Sequence, residues 1–193
     1  EEMEVSYEGF AGGDRTDLRV PESQRQLLEA LHATGTPVVG VFTTGSALAL
    51  DWARSNLPAM LVAWYPGQRG GTAVADVLFG DANPSGRLPV TFYRNDTVLP
   101  AFEDYDMKGR TYRYFDGEPL YAFGHGLSYT RFEYSDLGME RSEFGTDETV
   151  RVKVTVHNAG DRSGDEVVQL YLRPLEPRRE RAQRELAQRV LAK

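Results

Sequence analysis

The sequence predicts an α/β fold in its first 80 residues and a β-sandwich segment from about residue 132. Helical periodicity and continuous apolar runs alternate between residues 22 and 79, as they do when helices are layered on a parallel sheet. From residue 150 apolar and polar residues alternate, which favours strands with one buried face. Hydrophobic residues make up 40% of the 193 residues, so the chain has enough apolar material for a core.

The α/β part contains five predicted elements, in the order helix 22–34, strand 38–42, helix 47–55, strand 59–65 and helix 72–79. Leu27, Leu28 and Leu31 share one face of the first helix, and Gly35 is a usual stop signal after it. Both strands are continuous apolar runs, which are typical of parallel strands buried on both faces. The opening residues, 1–21, are acidic, contain glycines and predict a loop.

The pattern changes after Gly80, where turn residues replace the helix–strand alternation. Residues 95–130 are irregular and rich in aromatic side chains, which indicates a covering layer or the wall of a cleft. Alternating strands separated by turns then favour a β-sandwich. The further predicted elements are a strand at 88–93, a strand at 150–157, a turn at 158–161, a strand at 167–172 and a helix from 177.

Composition excludes several classes of function. The net charge is −7, and an acidic chain lacks the basic face that binding to nucleic acid requires. Cysteine is absent, which excludes disulfides and thiolate zinc sites, and the three histidines are too far apart for a metal site. No apolar run approaches the roughly 18 residues of a membrane span. The basic residues of 173–193 are interpreted as part of a solvated end.

Three short motifs leave the function open. The turn Gly67–Gly71 between a strand and a helix favours an ordinary tight turn over an anion site at the helix N-terminus. The same turn, together with the α/β alternation, keeps a flavodoxin-like nucleotide binder as a hypothesis that calorimetry would test. The motif Gly124–Ser128 is not the elbow of a serine hydrolase, because its glycines stand at the wrong offsets. The acidic cluster of Glu103, Asp104 and Asp106 is interpreted as solvated surface.

Several strings of residues stand in a specific order along the chain. They are Trp64–Gly71 running into Ala75–Gly80, then Asn83–Phe92, Gly109–Phe115 and Pro119–Thr130, preceded by Asp14–Arg15 with Leu18 and Pro21. In order and spacing these strings closely resemble the C-terminal half of glycoside hydrolase family 3, the β-glucosidases and β-xylosidases. The resemblance covers nearly the whole chain, and it rests on all the strings jointly rather than on any single one.

The resemblance implies a larger architecture. Family members carry an N-terminal (β/α)8 barrel, an α/β/α sandwich domain and often a fibronectin type III-like β-sandwich. Residues 1–131 then resemble the sandwich domain without its first part, and residues 132–193 resemble an incomplete fibronectin type III-like domain. The barrel is missing, and the start at Glu1 rather than at a methionine also indicates a fragment or a processed product.

The resemblance also implies the chemistry, which is retaining hydrolysis of β-linked glucose or xylose from oligosaccharide ends, without a cofactor or metal. A barrel aspartate is the nucleophile, and its motif has no counterpart in this chain. A glutamate on a sandwich-domain loop is the acid/base group. Glu1–Glu2–Met3 is similar to the end of that loop. Glu1 is therefore the first acid/base candidate, Glu2 the second and Glu8 the third.

Two interpretations follow for the chain itself. In the first it is part of an exo-β-glycosidase, with a carbohydrate substrate and a barrel domain, in cis or in trans, as its partners. In the second it is a non-catalytic module, because a retaining glycosidase needs two carboxyl groups roughly 5 Å apart. The resemblance favours a periplasmic or secreted location. A sheet without its first strands has an unpaired edge, which predicts a homo-oligomer that light scattering would detect.

Overall fold

A computed structural model describes residues 10–11, 14–15, 17–95, 98–101, 103–145 and 147–172, and only the backbone of residues 10, 11, 14 and 15. Its elements are β1 Phe10–Ala11, β2 Asp14–Arg15, α1 Glu22–Ala33, β3 Val39–Phe42, α2 Asp51–Asn56, β4 Ala59–Val62, α3 Gly70–Phe79, α4 Thr111–Tyr114, β5 Phe132–Met139 and β6 Val152–Asn158. In this part of the chain, three two-stranded sheets form: β1–β2 and β5–β6 are antiparallel, and β3–β4 is parallel. The mixed α/β class is confirmed, and the fibronectin-like sandwich stays a prediction.

The sequence predicted a loop for the opening residues, but part of this segment forms strands. β1 and β2 are separated by two residues and pair in the register of a tight hairpin, with Phe10 opposite Arg15 and Ala11 opposite Asp14. The predicted helix from residue 177, by contrast, lies outside the described residues.

The first helix begins and ends close to its predicted positions. After α1, the Thr34 hydroxyl donates to the Leu31 carbonyl at 2.7 Å, and Gly35 takes a left-handed φ of 76°. Its predicted apolar face is only partly used, because Leu28 packs against the core while Leu27 and Leu31 are exposed. The apolar pattern therefore located the helix but overstated how much of its surface is covered by the described residues.

The two predicted apolar strands form the parallel pair β3–β4, with Val39 opposite Ala59 and Phe42 opposite Val62. The prediction that both faces are buried is wrong for the described residues. Gly40 and Phe42 face the core, whereas Val39 and Val41 keep 46% and 41% of their surface exposed. One face of a two-stranded sheet therefore lacks a covering layer in this part of the chain. The predicted self-association through the sheet stays a prediction.

The boundaries of the next two helices shift for local reasons. α2 begins at Asp51 rather than at residue 47, because Ala49 is still extended and forms a parallel bridge with Arg19. α3 begins at Gly70, two residues earlier than predicted, and ends at Phe79 as predicted. Gly80 follows it with a φ of 86°, which suits a residue without a Cβ. The turn before α3 is tight because the Pro66 ring packs where a Cβ on Gly70 would lie.

The core lies between β3, α2 and an irregular pair formed by residues 88–92 and 120–125. Phe92 is fully buried at its centre, and its N–H donates to the Tyr121 carbonyl at 2.9 Å. The predicted strand at 88–93 is wrong, because only a single bridge, between Phe92 and Tyr121, forms there. Pro89 has no N–H to donate, so a continuous ladder cannot run through this segment. The buried core residues are Phe42, Ala47, Leu48, Leu50, Ala53, Leu57, Phe92 and Leu120.

The aromatic segment between residues 95 and 130 is irregular, as predicted, apart from the single turn of α4. Its rings form a packed layer rather than a free linker. Tyr93 meets Phe115 edge to face at 5.0 Å, and Tyr112 lies 4.6 Å from Phe123 between ring centroids. Tyr171, from near the end of the described residues, contacts both rings of the second pair. This layer therefore ties distant parts of the chain together.

The segment after residue 131 begins with the predicted strand pattern. β5 and β6 pair antiparallel, with a register shift between Ser135 and Gly138. The predicted strand at 167–172 is wrong, since no strand is assigned there and Leu172 is 86% exposed. Instead the Gln169 side chain donates to the Gly124 carbonyl at 3.2 Å, so this segment is held by side-chain contacts rather than by a backbone ladder.

Side-chain contacts join this segment to the α/β part, and we call them the junction. Arg87 and Glu166 form an ion pair at 2.5 Å with side chains only 11% and 16% exposed, and the Tyr134 hydroxyl donates to the same carboxylate at 2.7 Å. That hydrogen bond raises the pKa of the Tyr134 phenol. Asn83 accepts from the Tyr129 N–H at 2.7 Å and donates to the Ser163 carbonyl at 3.0 Å.

The stability of the protein should fall as the pH falls below about 6.5, the ordinary pKa of histidine. His125 stacks on Tyr121 at 4.7 Å, and burial together with the charges of Arg54 and Arg87 lowers its pKa. The unfolded chain therefore binds a proton at a higher pH than the folded chain does, and stability is lost between the two pKa values. In denaturant titrations at several pH values, His125→Gln should flatten this loss.

His157→Gln is the matched control, because it removes an imidazole from an exposed position on β6. Equal pH slopes in the His125→Gln and His157→Gln proteins would contradict the assignment to His125.

Candidate functional site

The carboxyl ends of the parallel strands are where a site is expected, because loops that leave these ends surround the crevice of an open α/β sheet. The β3–α2 loop, residues 43–50, follows one strand, and Ala63–Pro66 follows the other. The Ala63 N–H still donates to the Phe42 carbonyl at 2.9 Å, so both loops start from a fixed backbone. We call this region the carboxyl edge.

The β3–α2 loop is ordered by its own polar groups. Thr44 is buried, its hydroxyl donates to the Ser46 carbonyl at 3.0 Å, and the Ser46 N–H donates back to that hydroxyl at 3.2 Å. This turn presents Gly45 to the other loop, where the Tyr65 ring occupies the space that a Cβ would need. The two loops of the carboxyl edge therefore contact each other through a residue without a side chain.

The second loop carries a strained residue and an exposed one. Trp64 has a φ of 51°, which is rare for a bulky side chain, and its ring meets the buried Phe92 ring edge to face at 6.2 Å. Next to it, Tyr65 keeps 75% of its surface exposed. Because the Trp64 ring packs in the core, the Tyr65 side chain points outward from the surface in a fixed direction.

The predicted acid/base candidates, Glu1, Glu2 and Glu8, lie outside the described residues. The segment that follows them joins the described structure beside the carboxyl edge. The Ala49 N–H donates to the Leu18 carbonyl at 2.7 Å, and Asp17 holds Arg19 through an ion pair at 2.8 Å. The same β3–α2 loop therefore contacts both the segment after the candidate glutamates and the Tyr65 ring.

Other polar groups of the described residues have structural roles. Arg94 bridges Asp51 and Glu118, and the predicted surface cluster around Asp104 is exposed. The Ser128 hydroxyl donates to the Asn83 side chain at 3.0 Å. Among the residues that the structure describes, no group of three or more His, Asp or Glu side chains could hold a metal ion, and no helix is long and apolar enough to cross a membrane.

A concavity of about 400 Å³ is lined by residues 129–131 and 159–162, next to the junction. Both of its arginines are already engaged. Arg162 donates to the Gly80 carbonyl and lies 5.5 Å above the Tyr129 ring, and Arg131 pairs with Glu133 at 3.1 Å. This cavity therefore belongs to the junction. The carboxyl edge remains the candidate site.

Sequence reasoning missed Tyr65 as a residue of this site, although it quoted Tyr65 within the string Trp64–Gly71. An aromatic residue directly after a buried parallel strand, followed by proline and glycine, was the available signal. Its ring packs against Gly45, which is 20 residues away in the sequence, so local pattern alone could not reveal this contact.

Comparisons with known proteins agree with the resemblance seen in the sequence. The Glycosyl hydrolase family 3 C-terminal domain matches residues 1–129. A xylan 1,4-beta-xylosidase of Xylanibacter ruminicola is 54% identical over 91% of this chain and 20% of that protein. A periplasmic beta-glucosidase of Salmonella typhimurium is 44% identical over 82% of the chain and 22% of that protein.

Solved structures give the same result. The beta-glucosidase 3B of Thermotoga neapolitana, in complex with glycerol, is 34% identical with a TM-score of 0.67, over 79% of this chain and 24% of that one. The chain thus spans about a fifth to a quarter of the length of these relatives. From the matched residues, the chain belongs to glycoside hydrolase family 3, of which it carries the C-terminal portion.

Proposed function

We propose that this chain is part of a retaining exo-β-glycosidase that releases β-linked glucose or xylose, and that it contributes the acid/base loop. The observation that carries the proposal is family membership over residues 1–129, together with relatives named β-xylosidase and β-glucosidase. The nucleophile comes from a (β/α)8 barrel domain, in the same polypeptide or in a separate one. The relative named periplasmic supports a periplasmic or secreted location.

The geometry around the carboxyl edge supports a mechanism in which this chain provides the acid/base group and another domain provides the nucleophile. The segment after Glu1, Glu2 and Glu8 forms β1 and β2 and then bridges to the β3–α2 loop between Arg19 and Ala49. An acid/base group carried by that segment would reach a substrate over the edge of the sheet, where a second domain can place its nucleophile. Retaining hydrolysis needs the two carboxyl groups only about 5 Å apart, so the substrate lies between the two domains.

The proposal implies that the chain is inactive by itself. An acid/base glutamate must be protonated near neutral pH, and its pKa rises through desolvation and through the negative charge of the nucleophile. Both influences need the barrel domain. The isolated chain should therefore not hydrolyse aryl β-glucosides or aryl β-xylosides, which is also what the alternative, a non-catalytic module, predicts. A test must supply the barrel.

The test is a chimera in which residues 1–193 replace the matching part of the Xylanibacter ruminicola xylosidase, to which the chain is 54% identical. In this chimera Glu1→Gln should lower kcat for an unactivated xyloside by about 100-fold, because general acid catalysis contributes that much or more. Xylosides with highly acidic leaving groups need no protonation and should lose less in the glycosylation step. Azide, which needs no general base, should restore turnover of such a substrate and give a glycosyl azide.

Glu2→Gln and Glu8→Gln test the second and third candidates, and Glu103→Gln in the exposed acidic cluster is the control. A chimera that hydrolyses xylosides and keeps full activity in the Glu1→Gln, Glu2→Gln and Glu8→Gln variants would overturn the assignment of the acid/base loop to this chain. Turnover by the isolated chain that disappears in Glu1→Gln would overturn the claim that the nucleophile lies elsewhere.

A further inference from the structure

The geometry points to Tyr65 as an aromatic platform on which a pyranose ring of the substrate stacks at the carboxyl edge. This inference rests on the proposed function, and it adds a substrate-binding residue to it. The Tyr65 ring is 75% exposed, although Thr44 in the adjoining loop is buried. Its neighbour Trp64 packs into the core and holds the backbone in place. The exposed Tyr65 ring is therefore free to contact a ligand.

The seat of the ring is fixed by two independent features. Trp64 takes its left-handed backbone conformation directly after the paired strand, and its ring is held against the fully buried Phe92. On the other side, a Cβ on Gly45 would lie 2.7 Å from the Tyr65 Cε2 atom, so only glycine leaves room for the ring in this position. Backbone strain of this kind persists where the surrounding structure enforces it, and such residues cluster at functional sites.

The location links the ring to the acid/base segment. Gly45 and Ala49 belong to the same β3–α2 loop. Gly45 lies against the Tyr65 ring, and Ala49 is bridged to Arg19, at the end of the segment that carries the candidate glutamates. A sugar stacked on Tyr65 would therefore lie against the same loop that contacts Leu18 and Arg19.

The chemistry of the ring matches the substrate class. In β-linked glucose and xylose the ring substituents are equatorial, so both faces of the pyranose present axial C–H groups. An aromatic face with its partial negative charge attracts such C–H groups, and it also removes apolar surface from water. The equatorial hydroxymethyl group that distinguishes glucose from xylose does not obstruct this face. A platform at Tyr65 therefore accepts both sugars, and the hydroxyl of the tyrosine is not required.

Saturation-transfer NMR of the full chain with xylobiose and with cellobiose tests the inference. The wild-type chain should transfer magnetisation to the axial protons of one sugar ring and shift the signals of Gly45 and Trp64. Tyr65→Ala should weaken binding about fivefold or more, and Tyr65→Phe should keep it within about twofold. Gly45→Ala, which displaces the ring without removing it, should also weaken binding. Tyr105→Ala removes a tyrosine elsewhere that is even more exposed, at 91%, and should change nothing.

Folding of each variant is checked by its thermal midpoint, which should not change for Tyr65→Ala because the side chain is mostly exposed. Unaltered affinity in Tyr65→Ala, or no binding of either disaccharide by the wild-type chain, would overturn the inference. The chimera separates this from the proposed function, because Tyr65→Ala should raise KM with kcat nearly unchanged, whereas Glu1→Gln lowers kcat. If Glu1→Gln lowers activity and Tyr65→Ala does not change it, the proposed function is supported and the role of Tyr65 is contradicted.

Discussion

Replacing Phe92 by alanine should lower the free energy of unfolding by about 3–5 kcal/mol, the usual cost of removing a buried phenylalanine ring. Phe92 has no exposed surface, and its backbone is bonded to Leu120 and Tyr121, so the surrounding chain cannot easily collapse into the cavity. The thermal midpoint should fall by on the order of 10 °C for a chain of this size. Denaturant unfolding followed by tryptophan fluorescence measures both changes.

The fluorescence itself carries further information. Trp64 meets Phe92 edge to face and is one of only two tryptophans in the chain, so its environment should change even below the unfolding transition. Phe79→Ala is the matched control, because that ring is 84% exposed and its loss should cost no more than about 0.5 kcal/mol. Similar stability losses in the two variants would show that Phe92 does not lie at the centre of the core.

Removing the carboxylate of Glu166 should cost about 3–5 kcal/mol, because it leaves the guanidinium of Arg87 charged and largely buried. The carbonyl groups of Ser85 and Gly86 accept from that guanidinium at 3.1 and 3.2 Å, but they cannot neutralise its charge. Glu166→Ala also removes the acceptor of the Tyr134 hydroxyl. The free energy of unfolding from chemical denaturation is the measurement.

An exposed ion pair in the same segment provides the control. Arg131 and Glu133 lie 3.1 Å apart with side chains 73% and 57% exposed, so Glu133→Ala should cost at most about 1 kcal/mol. The double variant Arg87→Met with Glu166→Leu should recover much of the loss, since apolar replacement of both partners of a buried pair is often tolerated. Equal effects of Glu166→Ala and Glu133→Ala would contradict a buried role for the junction pair.

Local signals in the sequence predicted the elements whose determinants are local. The stop at Gly35 and the apolar runs around Val41 and Leu61 were sufficient to locate the first helix and the parallel pair. Family resemblance then supplied what residue patterns could not, which is the relation to the rest of a glycosidase. The assignment of Glu1, Glu2 or Glu8 as the acid/base group depends on that resemblance and stays a prediction.

The errors came from contacts between residues far apart in the sequence. Alternating apolar residues at 167–172 match a strand, yet the Gln169 side chain bonds to Gly124 and Leu170 is exposed. The run at 88–93 also matches a strand, but it bonds to residues 120–125 only at isolated positions, and Pro89 cannot donate to a ladder. The position of the Tyr65 ring depends on its contact with Gly45 in another loop. The sequence pattern indicates whether a segment favours helix or strand. It does not indicate which distant residue will form hydrogen bonds with that segment.

The junction has a practical consequence for recombining this domain with those of its relatives. The family match ends at residue 129, which makes that position an obvious crossover point. A crossover there would separate Asn83 from Ser163, Arg87 from Glu166 and Gly124 from Gln169. The foreign segment would have to supply all three partners in register. Gene exchange within this family should therefore succeed more often when residues 80–170 are inherited as one block than when the crossover falls at residue 129.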